Sequence, residues 1–210
     1  MALVIDTFIL GPIENNTYLL SDKTSKEAVL IDPAAPSKNI FQHIKKNNLY
    51  LREIWLTHAH FDHIGGVRWF LNQYEGEIQA AIHKDAVNLW KMGGSARDFG
   101  FDFDPGPPPE KLLSDNDILK IGTTQFTVLH TPGHTPGHVT FYDAQNNIAF
   151  CGDLIFHHGI GRTDLAISST PDLMKSISQK ILTLPDETQL YPGHGQSSTV
   201  GEEKKNNPFL

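Results

Sequence analysis

The sequence predicts an α/β fold in which two β-sheets face each other with helices outside. Three observations carry this reading. Strand-length apolar runs and amphipathic helical segments follow the order strands, helix, strand, helix, and that order occurs twice. The residues able to bind a metal gather at the ends of predicted strands. No linker rich in Pro, Gly or charge divides the chain, so residues 1–210 read as a single domain.

The elements follow in order. Residues 3–10 are β-branched and apolar and stop at Gly11-Pro12, residues 16–21 form a second strand, and residues 28–32 a third that Pro33 stops. These three read as a meander. Residues 36–48 show helical spacing through Ile40, Phe41 and Ile44, with Ser37 as the cap. A short buried strand, residues 53–57, runs into a histidine cluster. Ile64, Val67, Phe70 and Leu71 then recur at helical intervals to about Tyr74. Residues 77–82 form a strand and 84–92 a helix. Residues 93–109 form a long Gly- and Pro-rich loop in which Phe99, Phe101 and Phe103 are spaced by two; a lid or contact surface and simple packing on a neighbouring helix both remain open. Strands return at 118–121, 125–130, 139–143 and 148–151, with a hairpin turn at Asn146-Asn147. An amphipathic helix spans 172–182 after Pro171, a last buried strand 188–191, and a short helix 199–206.

Composition narrows the function classes. A net charge of −7 argues against binding nucleic acid through bulk electrostatics. No apolar run is long enough to cross a bilayer, and the N-terminus lacks the features of a secretory signal. One cysteine, Cys151, leaves no intramolecular disulfide and fits a reducing compartment, so the expected location is cytoplasmic.

Eleven histidines are the compositional oddity. His58, His60, Asp62 and His63 fall together before Gly65-Gly66, a density of neutral nitrogen and anionic oxygen donors that no hydrophobic core requires. Three more strand ends carry donors: His134 and His138 in Thr131-Pro132-Gly133-His134-Thr135-Pro136-Gly137-His138, Asp153 after Cys151-Gly152, and His194 in Tyr191-Pro192-Gly193-His194-Gly195. Together these suffice for two metals sharing one aspartate. His138 lies close to a strand interior and reads as a hydrogen-bonding group rather than a ligand. Cys151 reads as a small core residue. His157 and His158 read as a solvated loop, and His43, His83 and His130 carry no supporting pattern.

Asp32 after a strand, the 58–63 cluster, His134, Asp153 and His194 give the chain its resemblance to metallo-β-lactamase-fold hydrolases, in that family's order. Within the superfamily it resembles short, single-domain proteins related to type II glyoxalase (hydroxyacylglutathione hydrolase), as the segments 160–164 and 201–210 indicate. The resemblance implies an αββα four-layer sandwich of two mixed sheets with the site at one edge. It implies two divalent metal ions, zinc first, with iron and manganese also suited. His58, His60 and His134 would hold one, Asp62, His63 and His194 the other, and Asp153 would bridge them, with Asp32 behind orienting a ligand histidine.

The implied activity is hydrolysis of a small thioester such as S-lactoylglutathione by a hydroxide shared between the two metals. Asp153 would hold the pair and Asp62 take the proton of the attacking water. The partners expected are a small-molecule thioester or ester, with no nucleic acid and no membrane, on a monomer or homodimer. The alternative is a mononuclear-iron, persulfide dioxygenase-like oxidoreductase using His58, His134 and Asp153. Two departures bear on the thiol. The chain has no C-terminal helical region like that with which longer glyoxalase II enzymes hold glutathione. The run Leu165-Ala166-Ile167-Ser168-Ser169 also stands where related short proteins have a glycine-containing turn.

Overall fold

The meander forms as β1 (Leu3–Leu10), β2 (Asn15–Asp22) and β3 (Glu27–Ile31), antiparallel throughout. The computed structural model describes residues 3–210. Asp22 closes the β2–β3 turn, its carboxylate accepting from the Thr24 and Ser25 amides at 3.0 and 2.7 Å. Helix α1 (Lys38–Lys46) follows, with the Ser37 hydroxyl accepting from the Ile40 amide as the sequence predicts. β4 (Tyr50–Trp55), β5 (Gln79–His83) and β6 (Lys111–Leu113) then add in parallel, completing a six-stranded mixed sheet in the order β1-β2-β3-β4-β5-β6.

The second sheet is built from β7 (Ile118–Ile121), β8 (Thr124–His130), β9 (Val139–Asp143) and β10 (Ile148–Gly152), all antiparallel. β13 (Gln189–Pro192) lies parallel to β10, and β14 (Ser198–Thr199) caps the edge. A small hairpin, β11 (Ile155–Phe156) with β12 (Gly159–Ile160), projects between β10 and the next helix.

Side-chain alternation makes the four layers. Tyr18, Leu20, Val29, Ile31, Trp55 and Phe150 point between the sheets. Their neighbours Leu19, Leu30 and Ile54 point outward against α1, α3 (Val67–Gln73) and α4 (Val87–Lys91). On the other side Ala149, Cys151 and Leu190 meet α5 (Thr170–Ser176) and the π-turn Ile177–Ile181 that continues it. The expected αββα sandwich is what forms. α6 (Val200–Asn206) is capped by Thr199.

Local differences have local causes. The helix read from Ile64 to Tyr74 is two: α2 (Phe61–Ile64) and α3, broken at Gly65-Gly66. That pair lies against the loop after β3. A Cβ on Gly65 would meet the Ala34 carbonyl and one on Gly66 the Ala35 carbonyl, while the Gly66 amide donates to Pro33 at 2.7 Å. The helix at 172–182 begins earlier, at Thr170, because Ser169 supplies the cap and Pro171 the first turn. β6, β11, β12 and β14 are only two or three residues long, too short to show a period. No helix among the described residues is long and apolar enough to cross a membrane.

Candidate metal centre

The topology gathers the donors. β3 and β4 are parallel, as are β10 and β13, so their C-terminal ends open on one edge of the sandwich. Asp32 follows β3, the 58–63 cluster follows β4, His134 follows β8, Asp153 follows β10 and His194 follows β13. All seven positions expected to bind metal meet there.

Two groups of donor atoms converge. His58, His60 and His134 form one, and Asp62, His63 and His194 the other, each with its donor atoms within 4.8 Å of one another. Asp153 lies between them. Its Oδ1 is 3.3 Å from His63 Nε2, and its Oδ2 is 3.6 Å from His134 Nε2 and 3.7 Å from His194 Nε2. Asp62 Oδ2 sits 3.2 Å from His194 Nε2 and 3.7 Å from His63 Nε2. Gly193 permits this closeness, since a Cβ there would strike both Asp153 Oδ1 and the His63 ring.

Backbone and side-chain acceptors fix the imidazoles from behind. His63 Nδ1 donates to Asp32 Oδ2 at 2.9 Å, His134 Nδ1 to the Arg162 carbonyl at 2.9 Å, and His194 Nδ1 to the Ile13 carbonyl at 3.1 Å. The Thr57 hydroxyl donates to Asp32 Oδ2 at 2.6 Å, so its oxygen accepts from His58 Nδ1 at 3.0 Å. Each of these four rings therefore turns its Nε2 toward the centre. Asp32 orients two histidines, one directly and one through Thr57. It does so from a left-handed backbone conformation (φ 48°), a strain that aspartate tolerates better than most residues.

His60 differs. Its Nδ1 lies 3.1 Å from His58 Nε2 and 2.9 Å from His134 Nε2, so Nδ1 is its inward atom. With the protons of His58 and His134 committed outward, only one proton, on His60, is available among three converging nitrogens. A cation satisfies such a donor set, and the carboxylates of Asp62 and Asp153 beside it balance a second charge; the residues fit a pair of divalent ions.

The electrostatics divide the groups in the same way. Burial and the neighbouring imidazoles hold His58 well below the usual histidine range, and burial brings His60 down to about 3, so both stay neutral donors. Burial also lowers His134. Burial opposes protonation of His63 as well, but the Asp153, Asp62 and Asp32 carboxylates outweigh it and hold its pKa well above the usual value. Burial would raise Asp153, yet His63, His134 and His194 keep it ionised.

The other histidines fall into place. His138 is buried and bonds through Nδ1 to Thr131 Oγ1 at 2.9 Å; it is a hydrogen-bonding group, but its partner is a threonine and not a histidine of the centre. His83 and His130, which no sequence pattern singles out, stack at 4.1 Å and 13°, and with Asp85 they form a further group whose donor atoms lie within 4.8 Å of one another. His157 bonds Gln196 and His158 bonds Glu202 at the surface. Cys151 is buried, and burial pushes its thiol pKa up, as suits a core residue. Thr57 and the fully buried Asn15, whose Nδ2 donates to His63 Nε2 at 2.9 Å, were not legible as site residues; two adjacent buried asparagines opening β2 are the only signal.

A cavity of about 340 Å³ opens onto the centre. Its walls are mostly apolar: Ile13, Phe61, Phe99, Phe156, Ile160 and Leu165. The long loop after α4 divides its three phenylalanines between the cavity and the core. Phe99 and Phe101 lie 5.6 and 5.3 Å from Phe61 at the mouth, while Phe103 packs into the helix-side core. The run after Asp164 is anchored at four of its five residues. Leu165 lines the cavity, Ile167 packs on the same core, the Ser168 hydroxyl donates to the His134 carbonyl at 2.8 Å, and Ser169 caps α5.

Comparison with known proteins agrees with this geometry. The sequence model of the metallo-beta-lactamase superfamily matches residues 10–194. The chain is 36% identical over 207 residues to hydroxyacylglutathione hydrolase GloC of Haemophilus influenzae, across 98% of this chain and 97% of that protein. The crystal structure of BLEG-1 B3 metallo-beta-lactamase superposes with a TM-score of 0.91 at 38% identity, covering 99% of both chains. That of TTHA1623 in a di-iron-bound form superposes with a TM-score of 0.87 at 35% identity, covering 98% of this chain and all of the other.

Proposed function

The chain belongs to the metallo-beta-lactamase superfamily, and from that premise we propose that it is a binuclear metal-dependent hydrolase acting on small thioesters. The observation that carries the proposal is the position of Asp153, with one carboxylate oxygen toward His63 and the other toward His134 and His194. In this reading His58, His60 and His134 hold one ion, Asp62, His63 and His194 the other, and Asp153 both. Bound there, two divalent ions supply an activated water nucleophile at neutral pH and an electrophile for the substrate carbonyl. The donor set suits zinc, and the di-iron form of a similar protein supports iron as well.

The chain's own residues do the rest. Asp62, held ionised against burial by His63 and His194, accepts the proton of the attacking water. The apolar walls exclude bulk water from the reacting carbonyl. A thiolate leaves without protonation, and the cavity offers no strong general acid, which favours thioesters over esters and amides. The name of the Haemophilus relative supports S-lactoylglutathione as the first substrate to try. The lone, buried Cys151 supports a reducing, cytoplasmic setting.

The test is S-lactoylglutathione hydrolysis and persulfide-dependent oxygen uptake on one metal-loaded sample. Hydrolysis without oxygen uptake is expected. Oxygen uptake without hydrolysis would replace this reading by the mononuclear-iron dioxygenase one.

A further inference from the structure

Glu203 is a fully buried carboxylate that the metal centre does not use. Val200, one turn before it on the same face of α6, belongs to the apolar cluster of Ile155 and Cys151. An apolar side chain at 203 would pack there without the penalty of burying a charge. What the carboxylate holds is the hairpin β11–β12. Its Oε2 accepts from the His158 amide at 3.0 Å and from Asn207 Nδ2 at 2.7 Å, and the same Nδ2 donates to the Gly159 carbonyl at 3.0 Å. The hairpin needs such support. Its strands pair only Ile155 with Ile160 and Phe156 with Gly159, too few residues to stand alone. His158 in its turn has a left-handed φ of 57°, which a residue other than glycine keeps only where its surroundings fix it. The other ties to the turn, His158 Nε2 to Glu202 and His157 to Gln196, are exposed, where such bonds contribute little.

We propose that Glu203 is a positioning residue: through the turn of this hairpin it sets the wall formed by Phe156 and Ile160, and with it the affinity of the cavity for substrate. The proposal rests on reading this cavity as the substrate site. Phe156 and Ile160 line it, and the Phe156 ring centre lies 6.3 Å from that of His194. At the base of the hairpin the Gly161 amide donates to the Leu154 carbonyl at 3.0 Å, so Asp153 and Arg162 are held without Glu203. Loss of the buried acceptor therefore frees the tip and the wall while the donors of the metal centre keep their places. The substrate loses apolar contact, and the reacting groups do not move.

Glu203→Leu removes the acceptor and keeps a side chain that packs, whereas Glu203→Gln keeps an oxygen for the His158 amide. Both are compared with wild type as metal-loaded proteins. Amide hydrogen exchange, read by mass spectrometry, is expected to quicken in Glu203→Leu over residues 155–160 and to stay unchanged over 58–64. The KM for S-lactoylglutathione is expected to rise about tenfold in Glu203→Leu with kcat within about twofold, and Glu203→Gln to recover most of that loss. A merely structural role would move kcat, metal content and exchange together. Unchanged exchange over 155–160 would overturn the proposal, as would an unchanged KM beside faster exchange, or Glu203→Gln behaving like Glu203→Leu. If Glu203→Leu does not fold, Asn207→Ala, which removes the bond to the Gly159 carbonyl, is read in the same way. If wild type cleaves no thioester, the thioesterase reading fails, and the dissociation constant of S-hexylglutathione, an uncleaved thioether with an apolar chain, takes the place of KM. Equal values in wild type and Glu203→Leu, or no binding by wild type, would then overturn the role of Glu203.

Discussion

Asp32 shows how much of the centre depends on a residue outside the two donor groups assigned to the ions. It holds His63 directly and His58 through Thr57. Asp32→Ala is therefore expected to weaken metal binding in both groups, by about 10- to 100-fold, read by competition with a chromophoric chelator. Loss confined to one group would mean that Thr57 orients His58 unaided. The donors themselves were legible because most sit within a few residues of each other or beside glycines at strand ends. Of the residues that orient them, Asp32 was legible through the family resemblance, but Thr57 and Asn15 were not, because their partners come from elsewhere: Thr57 pairs with Asp32 across 25 positions, and Asn15 with His63 across 48. Spacing along the chain carries no signal for such pairs.

At the scale of elements, the longer strands and the cap at Ser37 follow from local chemistry, and the sequence shows them. The break between α2 and α3 does not, since Gly65 and Gly66 are needed only because the loop carrying Asp32 presses on them. The β2–β3 turn offers a test of one such local device. The Ser25 and Thr24 amides hold the Asp22 carboxyl below its usual range. A depressed carboxyl pKa stabilises the fold above the unfolded value and loses that contribution as pH falls through the folded one. Asp22→Ala should therefore be about 1–2 kcal/mol less stable than wild type at neutral pH in urea titrations, and the gap should close in acid. A gap that does not change with pH would assign the effect to packing.

Across the whole molecule, the centre joins the two sheets. Asp62, His58, His60 and His63 come from the first, and His134, Asp153 and His194 from the second. Ions bound between them act as cross-links in addition to the buried contacts of Trp55 with Phe126 and Phe141. Chelation is expected to lower the melting temperature; the stabilisation it removes grows with free metal concentration in the reference sample and reaches about 3 kcal/mol per site at a hundredfold excess over Kd. An unchanged melting temperature would mean that the sheets hold the site without help. The layered fold was legible from alternation and element order. The cavity was not, because its walls come from four separated segments and only their packing brings Ile13, Phe99, Phe156 and Leu165 together.

The central claim is that Asp153 serves two ions at once. The most direct measurement is metal content per chain, by mass spectrometry of the purified protein, for wild type and Asp153→Ala, with both checked for native secondary structure by circular dichroism. The account predicts two ions per chain in wild type and loss of both in the variant. One ion in wild type, or two retained by Asp153→Ala, would contradict it.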